Sequence, residues 1–279
     1  MSEFHYRIPW RSGSPHPGVH PSRHAGGGQL FQRLANFSDY PDPRRLDLRA
    51  SLVDPFENYR VRLHRQRAAI DVFAVVDLSA SMAYRGAAGK MDTVADFVAA
   101  LALSAHRSGD RLGVAAAGSG PRPLFFLPPS RHPAAAQRLA QSLRRYRPQD
   151  ADAQGLARLE HWLPGRRALV FLLSDFHWPE DQARRILAGL ARHDVVPVAL
   201  WERDESLPQA SGLSRLRDLE GGGERLLWLR PALRQRLAEA FGQRRRHLIA
   251  LLRRRGREPL WLGGGFDADA VTRYFHAGP

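Results

Sequence analysis

A short apolar run followed by acidic and hydroxyl side chains is the feature that most constrains the fold of this chain. The run, Asp71–Val76, is continuous and does not alternate with polar residues. Such a strand is buried on both faces, as in a parallel sheet covered by helices on both sides. Residues 77–81 follow with the sequence Asp-Leu-Ser-Ala-Ser. One carboxylate and two hydroxyls therefore lie just past the carboxyl end of a strand, where open α/β sheets bind ligands.

From residue 71 onward, predicted strands and helices alternate. Further strands are predicted at 111–117, 123–127, 168–173, 195–201 and 224–229. Helices are predicted at 91–106, 133–146, 153–162, 181–193, 231 to about 255, and 267–275, the last with Asp267 as its candidate cap. This alternation predicts an α/β fold with a mostly parallel central sheet and helices on both of its faces.

The chain divides into four predicted segments. Residues 1–45 form a basic arm rich in glycine and proline, and residues 46–70 form a short lead-in that contains a β-strand. The α/β domain spans 71–230, and a long helix with a tail that packs on the domain spans 231–279. The arm is expected to be extended, because glycine and proline clusters interrupt regular structure.

Composition narrows the classes of function. The chain of 279 residues has no cysteine, which excludes disulfides, thiolate metal sites and cysteine nucleophiles. Its start lacks a signal-peptide pattern and no apolar run reaches the length of a membrane span, so we expect a soluble, cytoplasmic protein without a transmembrane segment. The formal charge of +14 favours acidic partners, and Lys90 is the only lysine among 42 basic residues.

Three acidic segments are candidates for one site. Asp175 ends a second continuously apolar strand, and Asp150 and Asp152 lie between it and Asp77 at the start of a predicted helix. Because the carboxyl ends of parallel strands share one edge, these segments are expected to converge there. Hard oxygen donors of low total charge suit Mg²⁺, or alternatively Mn²⁺ or Ca²⁺, and leave coordination positions open.

The residues of this constellation resemble the metal-ion-dependent adhesion site of von Willebrand factor A domains. The resemblance implies a Rossmann-like fold and a cation held by the hydroxyls of Ser79 and Ser81. It implies that Asp77 and Asp175 act directly or through water. Asp150 stands at the middle ligand position, where the family usually has threonine, and the alternatives are that Asp152 or neither aspartate is the ligand. A partner's carboxylate would complete the metal shell.

A second resemblance lies upstream of this loop. The patterns Gly18-x-His20-x-Ser22 and Asp42-x-Arg44-x-Leu46-Asp47 are similar to the signature of the bacterial domain-of-unknown-function 58 family, which carries an A-type domain. Members are commonly encoded beside MoxR-type AAA+ ATPases. The resemblance implies a non-enzymatic module that binds such an ATPase, an acidic client protein or both. One branch of the family is encoded in gene clusters for assembling methanol dehydrogenase, and the resemblance therefore implies that enzyme as a possible client.

Other interpretations of the same residues remain open. Asp77, Ser79 and Ser81 could instead cap a helix. A Mg²⁺-dependent phosphoryl-transfer enzyme would also place an aspartate after its first strand, but it needs a second aspartate where this chain has Ser79, and a lysine for which Lys90 is the only candidate. A basic nucleic-acid-binding protein is suggested by the arginine runs of the long helix but is not favoured, because no recognised module accompanies them. The sequence Ser-Asp-Phe-His at 174–177 lacks the nucleophile elbow of a serine hydrolase.

Overall fold

The computed structural model describes residues 3–26, 30–86, 88–201, 212–217, 224–253 and 257–277. These residues fall into two units by their contacts. The N-terminal unit is Arg7–Ile70, and the main unit combines Met1–Tyr6 with Asp71–Pro279.

The N-terminal unit is built on a three-stranded antiparallel sheet with the order β1-β3-β2. Its elements are β1 (Pro17–Gly26), β2 (Leu30–Asn36), the short helix α1 (Leu48–Leu52) and β3 (Arg60–Ala68). Val61 and Leu63 alternate with more exposed residues along β3 and are buried in a small core with Ala35. Two strands thus occupy part of the segment that the sequence indicated to be an extended arm.

The central sheet of the main unit has six strands. In chain order the strands of this unit are β4 (Asp71–Asp77), β5 (Arg111–Ala117), β6 (Phe125–Ser130), β7 (Leu169–Ser174), β8 (Asp194–Leu200), β9 (Gly212–Arg217), β10 (Glu224–Leu229) and β11 (Leu260–Leu262). The sheet order is β11-β8-β7-β4-β5-β6, and only the β5–β6 pair in it is antiparallel. The mostly parallel α/β sheet predicted from the sequence is therefore confirmed.

Two strands depart from the sequence-based expectation. The strand predicted at 224–229 exists, but it pairs with β9 in a separate two-stranded ribbon. The edge strand β11 was not predicted, because it has only three residues, and it pairs in parallel with β8. The long-helix-and-tail segment thus contributes a strand to the central sheet.

Helices cover both faces of the central sheet. They are α2 (Lys90–Arg107), α3 (Pro133–Arg145), α4 (Glu180–Gly189), α5 (Pro231–Arg253) and α6 (Ala268–His276). The helix predicted at 153–162 is a 3-10 helix, Gln154–His161. The side chain of Asp267 accepts hydrogen bonds from two backbone N–H groups of α6, which confirms it as the helix cap. No helix in the described ranges is both long enough and apolar enough to cross a membrane.

Alternate residues of the central strands pack into different layers, as the period of a strand requires. Phe73 of β4 and Val170 of β7 belong to a core that includes Leu156 of the 3-10 helix and Ile186 of α4. Phe171 of β7 instead contacts rings contributed by other parts of the main unit, Phe4, Phe97 and Phe275. Burial on both faces explains why these strands are continuously apolar.

Candidate functional site

The loop after β4 places the predicted motif in the interior of the main unit. Asp77 and Ser79 have no exposed surface, and Ser81 is 6% exposed. The backbone N–H of Ser79 donates to Asp77 Oδ1 over 2.8 Å, and the hydroxyl oxygens of Ser79 and Ser81 are 3.2 Å apart. Ser79 precedes a 3-10 helix without making a side-chain capping hydrogen bond to it. The motif therefore gathers three oxygen-bearing side chains at one point, and helix capping does not explain it.

The register of the sheet brings the second acidic loop to the same point. Val76 of β4 lies opposite Leu173 of β7, so the residues that follow each strand are neighbours. The Ser174 hydroxyl donates to Asp77 Oδ2 over 2.7 Å. Asp175 is fully buried at the next position. The structure thus brings Asp77 and Asp175 together, as the sequence predicted.

Trp178 connects the loop after β7 to the loop after β4. Its indole Nε1–H donates to Asp77 Oδ2 over 2.8 Å. Phe176, between the strand end and Trp178, has a φ of 55°, which is uncommon for a residue with a side chain. Trp178 was not identified from the sequence, because its partner lies 101 positions away.

The carboxylate of Asp77 accepts hydrogen bonds from three neutral donors, the Ser79 N–H, the Ser174 hydroxyl and the Trp178 indole. Burial raises the pKa of Asp77, the nearby charge of Asp175 raises it further, and hydrogen bonds from Ser174 and Ser79 only partly offset these effects, so that the pKa is about 6. The protein therefore holds this group in an environment that disfavours its negative charge.

Lys90 is a second residue, besides Trp178, that was not assigned to this site from the sequence. It is 1% exposed, and its Nζ lies 2.6 Å from Asp175 Oδ2 and 3.3 Å from the backbone oxygen of Ser81. The ring centre of Tyr84 is 5.6 Å from the same nitrogen. Burial by itself would raise the pKa of Asp175, but the Lys90 ammonium and other donors outweigh it and the pKa is lowered.

A sequence signal for Lys90 existed. It is the only lysine of the chain, and it follows Gly89, whose φ of 71° turns the backbone immediately before α2. From the sequence, Lys90 was a candidate only for the lysine of a phosphoryl-transfer enzyme. Its position at the first turn of the helix after the loop nevertheless lets its long side chain return to the strand ends.

The third acidic segment lies beside the loop, and its carboxylates have other partners. Asp150 and Ser79 form a parallel β-bridge, and the N–H of Ala80 donates to the backbone oxygen of Asp150 over 2.8 Å. The carboxylate of Asp150 accepts from the N–H of Ser119 at 3.2 Å. Asp152 is farther along, and its carboxylate oxygens accept from the backbone and side chain of Gln154. Asp150 is therefore the closer of the two to the loop after β4, and it contacts that loop through its backbone.

His177 completes the surroundings of Asp175. Its Nδ1 lies 3.8 Å from Asp175 Oδ2, and its buried Nε2 has no hydrogen-bond partner within the described part of the chain. Burial lowers the pKa of His177 to about 4, so the ring is neutral near pH 7. The Ser174 hydroxyl donates to Asp77, and His177 lies against Asp175, which is not the arrangement of a serine–histidine pair.

The donor chemistry at this edge fits a small divalent cation. Two carboxylates and two hydroxyls supply the hard oxygens that Mg²⁺, Mn²⁺ or Ca²⁺ prefer. Across the described ranges, no group of three or more His, Cys, Asp or Glu side chains is placed to hold a metal ion. A cation here would therefore depend on the hydroxyls of Ser79 and Ser81 as much as on Asp77 and Asp175.

Comparisons with known proteins give a relative and two remote structural likenesses. A protein from Paracoccus denitrificans described as "Uncharacterized protein in moxR 3'region" is 33% identical over 105 residues, which are 37% of this chain and 98% of that protein. The crystal structure of conserved hypothetical protein BatB from Bacteroides thetaiotaomicron is 14% identical, with a TM-score of 0.45, covering 75% of this chain and 98% of that one. An aerotolerance-related membrane protein from Bacteroides fragilis is 15% identical, with a TM-score of 0.42, covering 75% of this chain and all of that one.

The family comparison covers more of the chain. The matching segment, residues 55–247, includes the strand before Asp77, Lys90 and the loop that carries Asp175. The chain belongs to the family described as protein of unknown function DUF58.

Proposed function

We propose that the protein is a non-enzymatic interaction module of the von Willebrand factor A type, which acts in the cytoplasm as the partner of a MoxR-type AAA+ ATPase. The observation that carries the proposal is the convergence of Asp77, Ser79, Ser81 and Asp175 at the carboxyl edge of a parallel sheet. Such an edge is where open α/β sheets bind ligands. The hydroxyl and carboxylate groups there hydrogen-bond to one another, and none is arranged as a nucleophile with its base.

A divalent cation would be held by the Ser79 and Ser81 hydroxyls and the Asp77 and Asp175 carboxylates, with Asp150 on the adjacent loop. When bound, the ion would offer a coordination position to an Asp or Glu of the partner. Mg²⁺ is the first choice, and Mn²⁺ or Ca²⁺ would suit the same oxygens. The net charge of +14 favours an acidic partner surface.

The choice of partner rests on the family and on the relative. The Paracoccus protein is named for its place in the region 3' of moxR. We propose that this chain likewise works with a MoxR-type ATPase, in the assembly, maturation or metal loading of a client enzyme complex. Methanol dehydrogenase is the client that the family resemblance suggests.

Exposed apolar side chains on the N-terminal unit support a role in protein interaction. They surround α1 and the turn after it and are 64–87% exposed: Leu48, Leu52, Val53, Phe56 and Tyr59. A contiguous exposed apolar patch of more than a few hundred Å² marks an interaction surface on a soluble protein, and these side chains are candidates for such a patch.

The proposal is tested by capture of a MoxR-type ATPase from the same organism on the immobilised full chain. Wild type, Asp77→Ala and the control Asp181→Ala are compared, each with Mg²⁺ and with a chelator. Asp181 suits the control because its side chain is 74% exposed on α4, so its removal takes away one carboxylate without touching the site.

We expect capture by wild type and by Asp181→Ala in Mg²⁺, and loss of capture with the chelator or with Asp77→Ala. Undiminished capture in all conditions would contradict a metal-bridged contact and leave an interaction module without a metal. No capture in any condition would contradict the choice of partner.

The two alternative functions have distinct tests. A phosphoryl-transfer enzyme would lose phosphatase activity with Asp77→Ala, but Asp77 is fully buried and hydrogen-bonded to Ser174 and Trp178, which does not suit a nucleophile. A nucleic-acid-binding protein would bind with an affinity that falls steeply with salt and is unaffected by Asp77→Ala. Of the two arginine runs behind that alternative, 244–246 lies on α5, and residues 254–255 of the second lie outside the described residues.

A further inference from the structure

Lys90 is a buried cation at the proposed cation site. An ammonium group loses much of its hydration when it is buried, and that loss is tolerated only with a close, oppositely charged partner. Asp175 is that partner, with Nζ and Oδ2 2.6 Å apart and both side chains at most 1% exposed. The ion pair is therefore part of the buried structure of the main unit.

The type of residue is informative as well. The chain has 42 basic residues, and arginine occupies every basic position except this one. The guanidinium of arginine is broad and planar, whereas the ammonium of lysine is a compact charge at the end of a flexible aliphatic chain. A compact charge that approaches one carboxylate oxygen resembles a metal ion in its electrostatic effect.

We propose that the Lys90 ammonium is a tethered cation that competes with a divalent metal ion for Asp175. This inference rests on the proposed function, because it assigns a regulatory residue to the same site. In the metal-free protein, Lys90 neutralises Asp175 and keeps the two strand-end loops together. Since like charges repel strongly away from bulk water, the same ammonium lowers the affinity for a second cation beside it.

The consequence is a site that stays folded without metal and binds metal only moderately. Asp77 and Asp175 contribute two carboxylates, and Lys90 offsets one of them. A metal ion would have to share Asp175 with Lys90 or replace it there. Partner binding would then respond to the free concentration of the ion, since the site would not retain it permanently.

The first test is Mn²⁺ binding to the full chain, followed by electron paramagnetic resonance of the free ion. Lys90→Met keeps a side chain of similar length and removes the charge. The matched control is Arg85→Met, which removes an exposed cation five positions earlier. We expect Lys90→Met to bind Mn²⁺ at least about tenfold more tightly than wild type, and Arg85→Met to stay within about twofold of it, because an exposed charge is screened. The gain should disappear in Lys90→Met combined with Asp77→Ala.

The second test follows Lys90 itself in wild type, so its main comparison, with and without Mg²⁺, does not depend on the folding of a variant. Because Lys90 is the only lysine, ¹³C-labelled lysine gives a single Cε signal that reports on this residue. We expect the signal to shift when Mg²⁺ is added, and to stay in place when NaCl of equal ionic strength is added or when Asp77→Ala receives Mg²⁺.

The outcomes separate this inference from the function on which it rests. Equal Mn²⁺ affinity of wild type and folded Lys90→Met, with an unmoved lysine signal, would overturn the competition and leave the metal site standing. Absence of Mn²⁺ binding in both proteins, each folded by circular dichroism, would overturn the metal site and the competition together. Tighter binding by Lys90→Met with a lysine signal that responds to Mg²⁺ would support both.

Discussion

Each end of strand β4 carries a buried aspartate, but the two carboxylates have partners of different charge. At the amino end, Asp71 faces two arginines. Arg111 contacts both of its carboxylate oxygens, at 2.7 and 2.9 Å, and Arg166 Nε lies 2.7 Å from Oδ2. At the carboxyl end, Asp77 receives hydrogen bonds from the neutral groups of Ser174 and Trp178, and the single ammonium of Lys90 contacts Asp175.

The pKa values of the two aspartates move in opposite directions as a result. Burial by itself would raise the pKa of Asp71, but hydrogen bonds and charge from Arg166 and Arg111 outweigh it, and the pKa is lowered. The pKa of Asp77 is raised to about 6 by burial and by Asp175. The negative charge of Asp71 is paired with two arginines, which stabilises the fold. The negative charge of Asp77 has only neutral hydrogen-bond donors and could be neutralised by a ligand.

Replacement of Asp71 is expected to have the largest effect on stability. Asp71→Asn leaves two arginines facing a neutral group and should lower the free energy of unfolding by about 3 kcal/mol, near the lower limit for a broken buried pair because both arginines are partly exposed. Asp77→Asn should cost only about 1 kcal/mol, since the weakened hydrogen bonds are offset by the loss of repulsion from Asp175. Urea denaturation of both variants measures the difference, and equal losses would contradict the contrast between the two ends.

The pH dependence of the Asp71 contribution is the next largest effect. Because the folded pKa lies below the unfolded one, the stabilisation is fully present above the unfolded value, near pH 4, and is lost as the pH falls through the folded value. We therefore expect the difference in unfolding free energy between wild type and Asp71→Asn to be constant from pH 7 to pH 5 and to shrink below about pH 4. A difference that shrinks already between pH 7 and pH 5 would show that the arginines do not lower this pKa.

Loss of the Trp178 hydrogen bond should have an intermediate effect. Trp178→Phe keeps a ring near Phe176 and removes the donor to Asp77 Oδ2, which should cost about 1.5 kcal/mol because the acceptor is charged. Trp162→Phe is the control, since Trp162 stacks edge-on against Phe126 and its indole nitrogen has no hydrogen bond within the described part of the chain. If thermal unfolding shows equal losses for both variants, ring size explains the effect and the hydrogen bond does not.

Removal of a surface charge should have the smallest effect and sets the scale for the others. Asp181 pairs with Arg185 one turn later on α4 at 2.8 Å, with both side chains more than 60% exposed. Asp181→Asn should lower the free energy of unfolding by less than about 0.5 kcal/mol, because water and salt screen such pairs. A loss as large as that of Asp71→Asn in the same urea experiment would mean that net charge, rather than burial, dominates the stability of this basic protein.

Local sequence patterns were sufficient to predict much of the sheet. The continuous apolar runs before Asp77 and Asp175 predicted two buried strands of a parallel sheet, because burial on both faces favours such runs. The periodicity of α2 and the capping residue Asp267 likewise depend on neighbours within a few positions. Strand β11 and the pairing of β10 with β9 were not predicted, since pairing partners are not encoded in the short strands themselves.

The sequence by itself determined that Asp77, Ser79, Ser81 and Asp175 stand at the ends of buried strands, because apolar periodicity and strand length are local properties. Tertiary structure alone decided their partners. It brought the ammonium of Lys90 to Asp175 and the indole of Trp178 to Asp77. It also placed the backbone of Asp150 beside Ser79 and its carboxylate on Ser119. The physical reason is that sheet register and loop paths bring together residues 85 and 101 positions apart, and charge and hydrogen bonding then act over a few ångströms of space.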